Sequence, residues 1–168
     1  MTHLVLIAHN LRSAHNVGSL LRTAEGLGVQ QVFLTGYTPY PACDPDDRLP
    51  HLAQKLDRQI SKTALGAEKL IAWQHELSIE GVIAELKTND FVIAGLEQAA
   101  GSIKLPDFEV PNKLVLIIGR EVEGIEPTIL KSCDYILEIP MFGQKESYNV
   151  VQAAAMALYH FRFTAPKS

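Results

Sequence analysis

The sequence contains few cysteines, and the two that it has, Cys43 and Cys133, lie ninety positions apart. Neither belongs to a CxxC pair or lies near a pair of histidines, so the spacing indicates neither a zinc site nor a disulfide framework. The acids Asp44, Asp46 and Asp47 lie in a proline-rich loop and are typical of turns rather than of metal ligands. We therefore expect free thiols and no bound metal.

Long apolar runs are also missing. No stretch approaches the roughly 20 apolar residues that a membrane-spanning helix needs, and residues 1–9 lack the cationic start and small-residue cleavage site of a signal peptide. A chain of 168 residues that is 47% hydrophobic is long enough for one sizeable core and too short for two ordinary domains. These features predict a single domain over residues 1–168 that works in the cytoplasm without contacting a membrane.

Two glycine-rich phosphate loops are missing as well. No GxGxxG follows a predicted strand, and no glycine loop ends in GK[ST]. A dehydrogenase-like dinucleotide enzyme and a P-loop nucleotide enzyme are therefore both disfavoured.

Negative charge prevails, with a net charge of −4, which argues against a protein that coats nucleic acid through bulk electrostatics. Residues 1–69 nevertheless contain seven Lys and Arg against six Asp and Glu, whereas residues 70–168 contain eight against thirteen. An ordinary solvated face and a local phosphate-facing surface would both account for this bias. The candidates for such a surface are Arg12, Arg22, Arg48, Lys55, Arg58 and Lys62.

Apolar runs bounded by glycine, proline and polar residues alternate between strand-like and helix-like spacing. They predict strands at 3–8, 31–35, 69–73, 91–96, 114–118 and 135–139, and helices at 17–27, 49–60, 78–87, 126–131 and 146–163. The run at 114–118 does not alternate, as expected for a strand buried on both faces of a parallel sheet. The pattern indicates an α/β fold with a mostly parallel sheet flanked by helices.

Polar blocks follow three of the predicted strands, at the strand ends where ligands bind in open α/β sheets. In the first block, residues 10–24, Asn16 is predicted to cap the helix, and Gly18 would let another backbone come close. Arg22 has a side chain long enough to lean back toward the strand end. A surface arginine beside a helix cap would give the same pattern.

The second block, residues 117–127, carries Gly119 and Gly124 in a loop whose backbone can approach a ligand. Glu121 lies between them and is predicted to face the crevice. Because the loop again follows a strand, we expect it to lie beside the first block.

The third block, residues 139–150, places Ser147 and Asn149 where the final helix is expected to open. Unpaired N–H groups and the positive dipole end of a helix can hold polar atoms of a ligand there. An N-cap at Ser147 or Asn149 would explain the same residues.

These three blocks, in this order and with this spacing, resemble the motifs of the SpoU/TrmH family of RNA ribose 2′-O-methyltransferases, part of the SPOUT superfamily. Residues 62–68 and 94–98 also resemble the family, so the resemblance covers nearly the whole chain. It implies an α/β fold with a C-terminal deep trefoil knot, S-adenosylmethionine as the methyl donor, and a homodimer whose active site combines both subunits. Periodicity alone gives no reason to expect a knot, because true knots are almost absent among folds.

The resemblance also assigns residues. By motif matching, the cofactor pocket is formed, largely through backbone atoms, by Leu96, Gly119, Ile139, Met141 and Ser147, and the catalytic group is Asn16, Arg22, Glu121, Ser147 and Asn149. Arg22 is the family's proposed base. Since an arginine stays protonated to about pH 12, we expect it instead to anchor the adjacent phosphate and lower the pKa of the ribose hydroxyl. Asn16 and Asn149 would orient groups, and Glu121 would hold Arg22 or the motif loops in place.

The expected reaction is methyl transfer to a ribose 2′-hydroxyl of RNA without a metal. Because the first motif begins within ten residues of the start, no N-terminal RNA-binding domain fits before it, which favours tRNA as the substrate. Two alternatives stay open: rRNA modification with specificity from residues 36–60, and a non-catalytic RNA-binding dimer that keeps the fold. Tyr148, Val151 and Arg120 depart from the family's usual residues; Tyr148 either stacks on a base or packs, and Arg120 either contacts a phosphate or lies on the surface.

Overall fold

The computed structural model of the chain describes residues 1–164, which form one sheet with helices on both faces. The strands are β1 (His3–His9), β2 (Gln31–Thr35), β3 (Trp73–Glu76), β4 (Val92–Leu96), β5 (Ile103–Lys104), β6 (Lys113–Ile118) and β7 (Tyr135–Glu138). The helices are α1 (Ala14–Gly26), α2 (Pro50–Ala64), α3 (Ile79–Thr88), α4 (Pro127–Leu130) and α5 (Val150–Phe163). No helix within the described residues is long and apolar enough to cross a membrane.

The sheet has the strand order β3-β2-β1-β6-β4-β7-β5. Every pair of neighbouring strands is parallel, so the predicted α/β fold with a parallel sheet is confirmed. Two late strands lie between earlier ones: β6 separates β1 from β4, and β7 separates β4 from β5. The carboxyl ends of β1, β6, β4 and β7 therefore meet side by side at one edge of the sheet.

Alternation along β1 explains how the sheet supports two cores. Leu4, Leu6 and Ala8 face the cluster formed with α1, α2 and α5, whereas Val5 and Ile7 face the cluster formed with α3 and α4. Successive side chains of a strand point to opposite faces, so a continuous apolar run is needed when both faces are covered.

Helices α1 and α2 pack in close contact at Gly18. A Cβ atom at this position would collide with the Thr63 hydroxyl and the Ile60 carbonyl of α2. The predicted close approach of another backbone at Gly18 is thus confirmed. A hydrogen bond of 2.8 Å from the Thr63 hydroxyl to the His15 carbonyl holds the end of α2 beside the start of α1.

The strand predicted at residues 69–73 is wrong. The chain forms a 3₁₀ turn at Ala67–Lys69, and β3 begins only at Trp73. The buried Glu68 carboxylate accepts a hydrogen bond of 3.0 Å from the Gly66 N–H, which ties the turn to the end of α2. Strand β3 lies at the edge of the sheet and alternates half-buried with exposed residues, so it has no apolar run that periodicity could detect.

Candidate functional site

The loops that follow β1 and β6 meet at a switch point of the sheet. From β1 the chain turns to β2 through α1 on one face, and from β6 it turns to β7 through α4 on the other. Ligands of open α/β sheets bind at the carboxyl ends of the strands at such a point. The first two polar blocks of the sequence therefore lie together.

The carboxylate of Glu121 joins these two loops. It accepts hydrogen bonds from the backbone N–H of Arg12 at 3.1 Å and of Ser13 at 3.0 Å, and from the side-chain amide of Asn16 at 3.3 Å. The first N–H groups of a helix have no partner within the helix, and its N-terminus carries partial positive charge. Glu121 is therefore an acid at the start of α1 that fixes the side chain of Asn16.

This setting lowers the pKa of Glu121 from its ordinary value. Burial acts in the opposite direction and raises the pKa, but the hydrogen bonds from the backbone of Ser13, of Glu121 itself and of Arg12, and from the Asn16 amide, outweigh it. The group is thus a carboxylate at neutral pH, which makes it an acceptor and not a proton donor.

The prediction that Asn16 caps α1 is wrong. Ser13 is the N-cap, and its hydroxyl accepts the N–H of Asn16 at 3.1 Å. Asn16 lies inside the first turn, which leaves its side chain free to bind Glu121. Arg22 lies in the third turn, six residues or about 9 Å further along the axis. It is exposed, and its side chain has no hydrogen bond or ion pair with any residue of 1–164.

An open cleft of about 670 Å³ lies beside this junction, between the ends of β4, β6 and β7 and the start of α5. Four of the five predicted cofactor residues line it, namely Leu96, Gly119, Ile139 and Ser147, and so does Glu121. Met141 does not line the cleft, and neither do Asn16, Arg22 and Asn149. Glu121 and Ser147 thus lie in one cleft. Asn16 does not line the cleft but is hydrogen-bonded to Glu121, and Arg22 lies outside the cleft.

The walls of the cleft combine apolar side chains with free backbone groups. Leu137, Ile139 and Val150 contribute apolar surface. Ser147 and Tyr148, which also line the cleft, have no hydrogen bond to another described residue, so their backbone groups are available to a ligand. Such a lining suits a molecule with an apolar ring and a polar edge.

The glycines of the loop after β6 both line the cleft, and they also allow a close approach within the chain. A Cβ on Gly119 would lie 2.5 Å from the backbone of Gly124, and these neighbours are joined by a pair of hydrogen bonds of 3.1 Å between Arg120 and Gly124. Gly124 has a φ of +71°, and a Cβ there would collide with the carboxylate of Glu97. Glycine is thus required here by contacts within the chain, and the approach of this backbone to a ligand stays a prediction.

Glu97 is a cleft residue to which no role was assigned from the sequence. Its carboxylate accepts the N–H of Ile125 at 2.9 Å, so it joins the loop after β4 to the loop after β6. The only signal in the sequence was its place directly after a predicted strand, in the segment 94–98. A single acid after a strand is too common to identify this contact.

Asn149 is the N-cap of α5. Its side-chain oxygen accepts the N–H groups of Val151 at 2.9 Å and of Gln152 at 3.4 Å. The helix predicted from residue 146 therefore begins at Val150, and of the two candidate caps the structure selects Asn149. The side chain of Ser147 remains exposed at the mouth of the cleft.

Tyr148 and Arg120, which depart from the family's usual residues, both line the cleft. Tyr148 lines the cleft and is 37% exposed. The guanidinium of Arg120 lies 3.9 Å from the carboxylate of Glu126 and 4.0 Å from that of Glu123. Arg120 thus faces acids of its own loop and is not a free surface cation.

Two of the predicted phosphate contacts are engaged within the chain. Arg48 forms an ion pair of 2.6 Å with Asp46, donates to the carbonyls of Tyr40 and Pro41, and lies 3.5 Å above the ring of Tyr40. Its assignment to a phosphate-facing surface is therefore wrong, because the guanidinium closes the proline-rich loop. Arg12 forms an ion pair of 2.8 Å with Glu123 in the loop after β6.

No cluster of three or more His, Cys, Asp or Glu side chains in the described part of the chain is arranged to hold a metal ion.

The chain is similar to known proteins in both sequence and structure. The model of the SpoU rRNA Methylase family matches residues 3–159. A protein of Staphylococcus aureus (strain COL), named for the TrmH family of tRNA/rRNA methyltransferases, is 32% identical over 92% of this chain and 56% of its own length. The 23S rRNA (guanosine-2'-O-)-methyltransferase RlmB of Bordetella pertussis is 30% identical over 93% of this chain and 58% of its own length. The chain thus spans little more than half the length of these relatives.

Solved structures share the fold. The SpoU methyltransferase AviRb from Streptomyces viridochromogenes, in complex with AdoMet, has a TM-score of 0.78 at 23% identity and covers 96% of this chain and 57% of that one. The A. aeolicus TrmH/SpoU tRNA modifying enzyme also has a TM-score of 0.78, at 21% identity, over 96% of this chain and 75% of that one. The match of the family model over nearly the whole chain, with the resemblance of its three motifs, shows that the chain belongs to the SpoU rRNA Methylase family.

Proposed function

We propose that the chain transfers a methyl group from S-adenosylmethionine to a ribose 2′-hydroxyl of RNA, with tRNA as the preferred substrate, in the cytoplasm. The observation that carries the proposal is the open cleft at the carboxyl ends of β4, β6 and β7, which shares Glu121 with the loop that holds Asn16. Membership of the family supplies the class of reaction.

The cleft has the right chemistry for S-adenosylmethionine. Leu96, Leu137 and Ile139 offer apolar surface for an adenine ring, and the unpaired backbone groups of Ser147 and Tyr148 offer donors and acceptors for its edge. Gly119 and Ser147 complete the lining. When bound, the sulfonium supplies a methyl group already activated for transfer. AviRb binds AdoMet in the same fold, which supports this choice of ligand.

The protein has two tasks in this reaction: to align the ribose oxygen with the methyl group and to stabilise the charge that develops on that oxygen. We assign Arg22 to the phosphate next to the reacting ribose, since it is exposed, has no partner in the described chain, and carries a planar guanidinium suited to phosphate oxygens. Asn16, held by Glu121, and Ser147 would orient the ribose and the donor. Asn149 supports them by fixing the start of α5.

Two further parts of the proposal concern assembly. We propose that residues 1–168 act as one SPOUT domain whose C-terminal segment forms a trefoil knot; in support, β7 is inserted between β4 and β5. We also propose a homodimer, because α5 exposes Met156, Tyr159 and Phe163 at intervals of three and four residues. A second copy covering this stripe could bring Arg22 of one protomer to the cleft of its partner, from which its own Arg22 is absent.

The class of RNA has one competing candidate. The RlmB relative is named for 23S rRNA, which favours rRNA as the substrate, and the A. aeolicus structure is named for tRNA modification. A non-catalytic RNA-binding dimer would keep the fold but would need neither the cleft nor the fixed Asn16.

The deciding experiment is transfer of radiolabelled methyl from S-adenosylmethionine to separate tRNA and rRNA pools that lack their modifications, followed by nucleoside mapping. We expect label in a 2′-O-methylnucleoside from the tRNA pool. Label from rRNA alone would show that rRNA is the substrate in place of tRNA. Label in a methylated base would refute transfer to the ribose hydroxyl. Cofactor binding without transfer to either pool would favour the binding dimer.

Arg22→Ala tests the assigned role and the shared site together. We expect transfer to fall by at least about a hundredfold, corresponding to about 2.7 kcal/mol of barrier. Mixing Arg22→Ala with Ser147→Ala protomers should restore part of the activity if each site combines two copies. A near-normal rate in Arg22→Ala would remove the arginine from the mechanism, and absence of complementation between two singly inactive variants would argue against a shared site.

A further inference from the structure

The outer face of α2 carries a row of positive charge in an acidic protein. Lys55, Arg58 and Lys62 are spaced by three and four residues, so they lie on one face of the helix, and all three are exposed. His51, also exposed, lies one turn earlier on the same face. We call Lys55, Arg58 and Lys62 the α2 basic stripe; it extends over about 10 Å of helix axis.

The charges of this stripe are not neutralised by residues 1–164. None of its three residues forms an ion pair with a described residue, unlike Arg12 and Arg48, whose guanidinium groups bind acids of their own surroundings. The nearest acids in sequence point elsewhere. Asp57 accepts the N–H of Ala42, and Glu68 is buried against the turn after α2.

The stripe lies on the helix that packs against the proposed active-site helix. At Gly18 the two helices touch through backbone atoms, and the Thr63 hydroxyl next to Lys62 binds the His15 carbonyl next to Asn16. Arg22 lies one turn beyond Gly18 on α1 and is exposed. The stripe therefore belongs to the helix packed directly against the one that carries the residue assigned to the reacting phosphate.

We propose that the α2 basic stripe binds the sugar-phosphate backbone of the RNA substrate and leads it toward the start of α1. The inference rests on the proposed function, because it takes the anion to be the RNA strand that is methylated. Contacts of this kind set affinity and position without recognising bases. An overall net charge of −4 would otherwise repel RNA, so a local row of unpaired cations is the feature that makes binding feasible.

The test compares three variants in binding to unfractionated tRNA, measured by fluorescence anisotropy at several salt concentrations. In the stripe variant, Lys55, Arg58 and Lys62 are replaced by Gln. In the matched control, the exposed Lys87, Lys104 and Lys131 are replaced by Gln, which removes the same charge from other surfaces. In the charge-keeping variant, Lys55→Arg, Arg58→Lys and Lys62→Arg are combined.

We expect the stripe variant to bind tRNA about tenfold or more weakly at 0.1 M salt, with the slope of log K against log salt reduced by about 2 to 3. The control and the charge-keeping variant should retain the slope of the original chain. In methyl transfer, the stripe variant should raise the KM for RNA and leave kcat unchanged, because these residues touch no reacting atom.

Equal slopes in the stripe variant and the control would overturn the inference. Far-ultraviolet circular dichroism and S-adenosylmethionine binding by calorimetry check that each variant is folded. The proposed function can fail separately: if the stripe variant loses the salt slope that the control keeps, but the original chain transfers no methyl group, RNA binding by the stripe is supported and the reaction is not.

Discussion

The contact most open to a quantitative test is the carboxylate of Glu121 at the N-terminus of α1. Two substitutions separate its charge from its hydrogen bonds. Glu121→Gln keeps a side-chain oxygen near the N–H of Ser13 but removes the negative charge, and Glu121→Ala removes both. We expect both variants to fold, since the two sheet clusters are untouched.

The expected loss of stability is the sum of one charge effect and the hydrogen bonds from three donor residues. A carboxylate near the N-terminus of a helix contributes about 0.3–1 kcal/mol, so Glu121→Gln should lower the free energy of unfolding by up to about 1 kcal/mol at neutral pH. Glu121→Ala also removes the hydrogen bonds from Arg12, Ser13 and Asn16, each contributing about 0.5–1.5 kcal/mol net. The carboxylate is partly exposed, so solvent screening reduces the sum to about 2–3 kcal/mol.

The dependence on pH distinguishes the charge from the packing. The folded state lowers the pKa of Glu121, so its stabilisation is fully present above the ordinary glutamate pKa of about 4.3 and is lost as the pH falls through the lower folded-state pKa. The difference in free energy of unfolding between the original chain and Glu121→Gln should therefore be constant from pH 6 to 7 and shrink toward zero below about pH 4.

Urea denaturation followed by tryptophan fluorescence measures this difference, because Trp73 is the only tryptophan. The m-value should stay unchanged, as expected when a substitution alters stability without altering the surface exposed on unfolding. The reasoning would be refuted if Glu121→Gln were as stable as the original chain at pH 7, or if its deficit were the same at pH 7 and at about pH 3.

Three further predictions follow from single contacts. Gly18→Ala should lower the free energy of unfolding by about 1–3 kcal/mol because its Cβ collides with α2, whereas Gly26→Ala, with open space around it, should be neutral or slightly stabilising; thermal unfolding checks both. Asn149→Ala should cost about 1 kcal/mol of stability through loss of the α5 cap, and Asn149→Asp should restore it, so a loss of methyl transfer in the aspartate variant would show a role beyond capping. Arg48→Lys should destabilise by about 2 kcal/mol and leave tRNA affinity unchanged, with Arg58→Lys as the control for stability; weaker tRNA binding by Arg48→Lys would contradict the structural role.

Prediction from the sequence succeeded where one local signal decides the structure. The strand at Gln31–Thr35 was located to the residue, because a short β-branched and aromatic run is bounded by polar residues and a glycine. The run at 114–118 was correctly placed in a parallel sheet, since it is buried on both faces. The edge strand β3 was misplaced, because half of its residues face solvent and leave no apolar run.

For the site, the sequence identified the loops that form it more reliably than it identified the role of each side chain. Ser13 and Asn16 are both good caps by residue type, and the structure selects Ser13. The side chain of Asn16 instead binds Glu121, which lies more than a hundred positions away in the chain. Arg48 resembles any loop cation until the carbonyls of Tyr40 and Pro41 are seen to surround it. Partners distant in the chain leave no trace in local spacing.

The sequence by itself determined the alternation of strands and helices, the parallel sheet and the three polar blocks at strand ends, because these depend on periodicity and breakers within a few residues. Tertiary structure alone decided the strand order, which inserts β6 and β7 between earlier strands and so brings the loops after β1, β4, β6 and β7 to one edge. It also decided which cations remain free, leaving Lys55, Arg58 and Lys62 exposed while Arg12 and Arg48 are paired. Pairing between strands and between charges joins residues far apart in the chain, and its free energy depends on distance in space, which the order of residues does not encode locally.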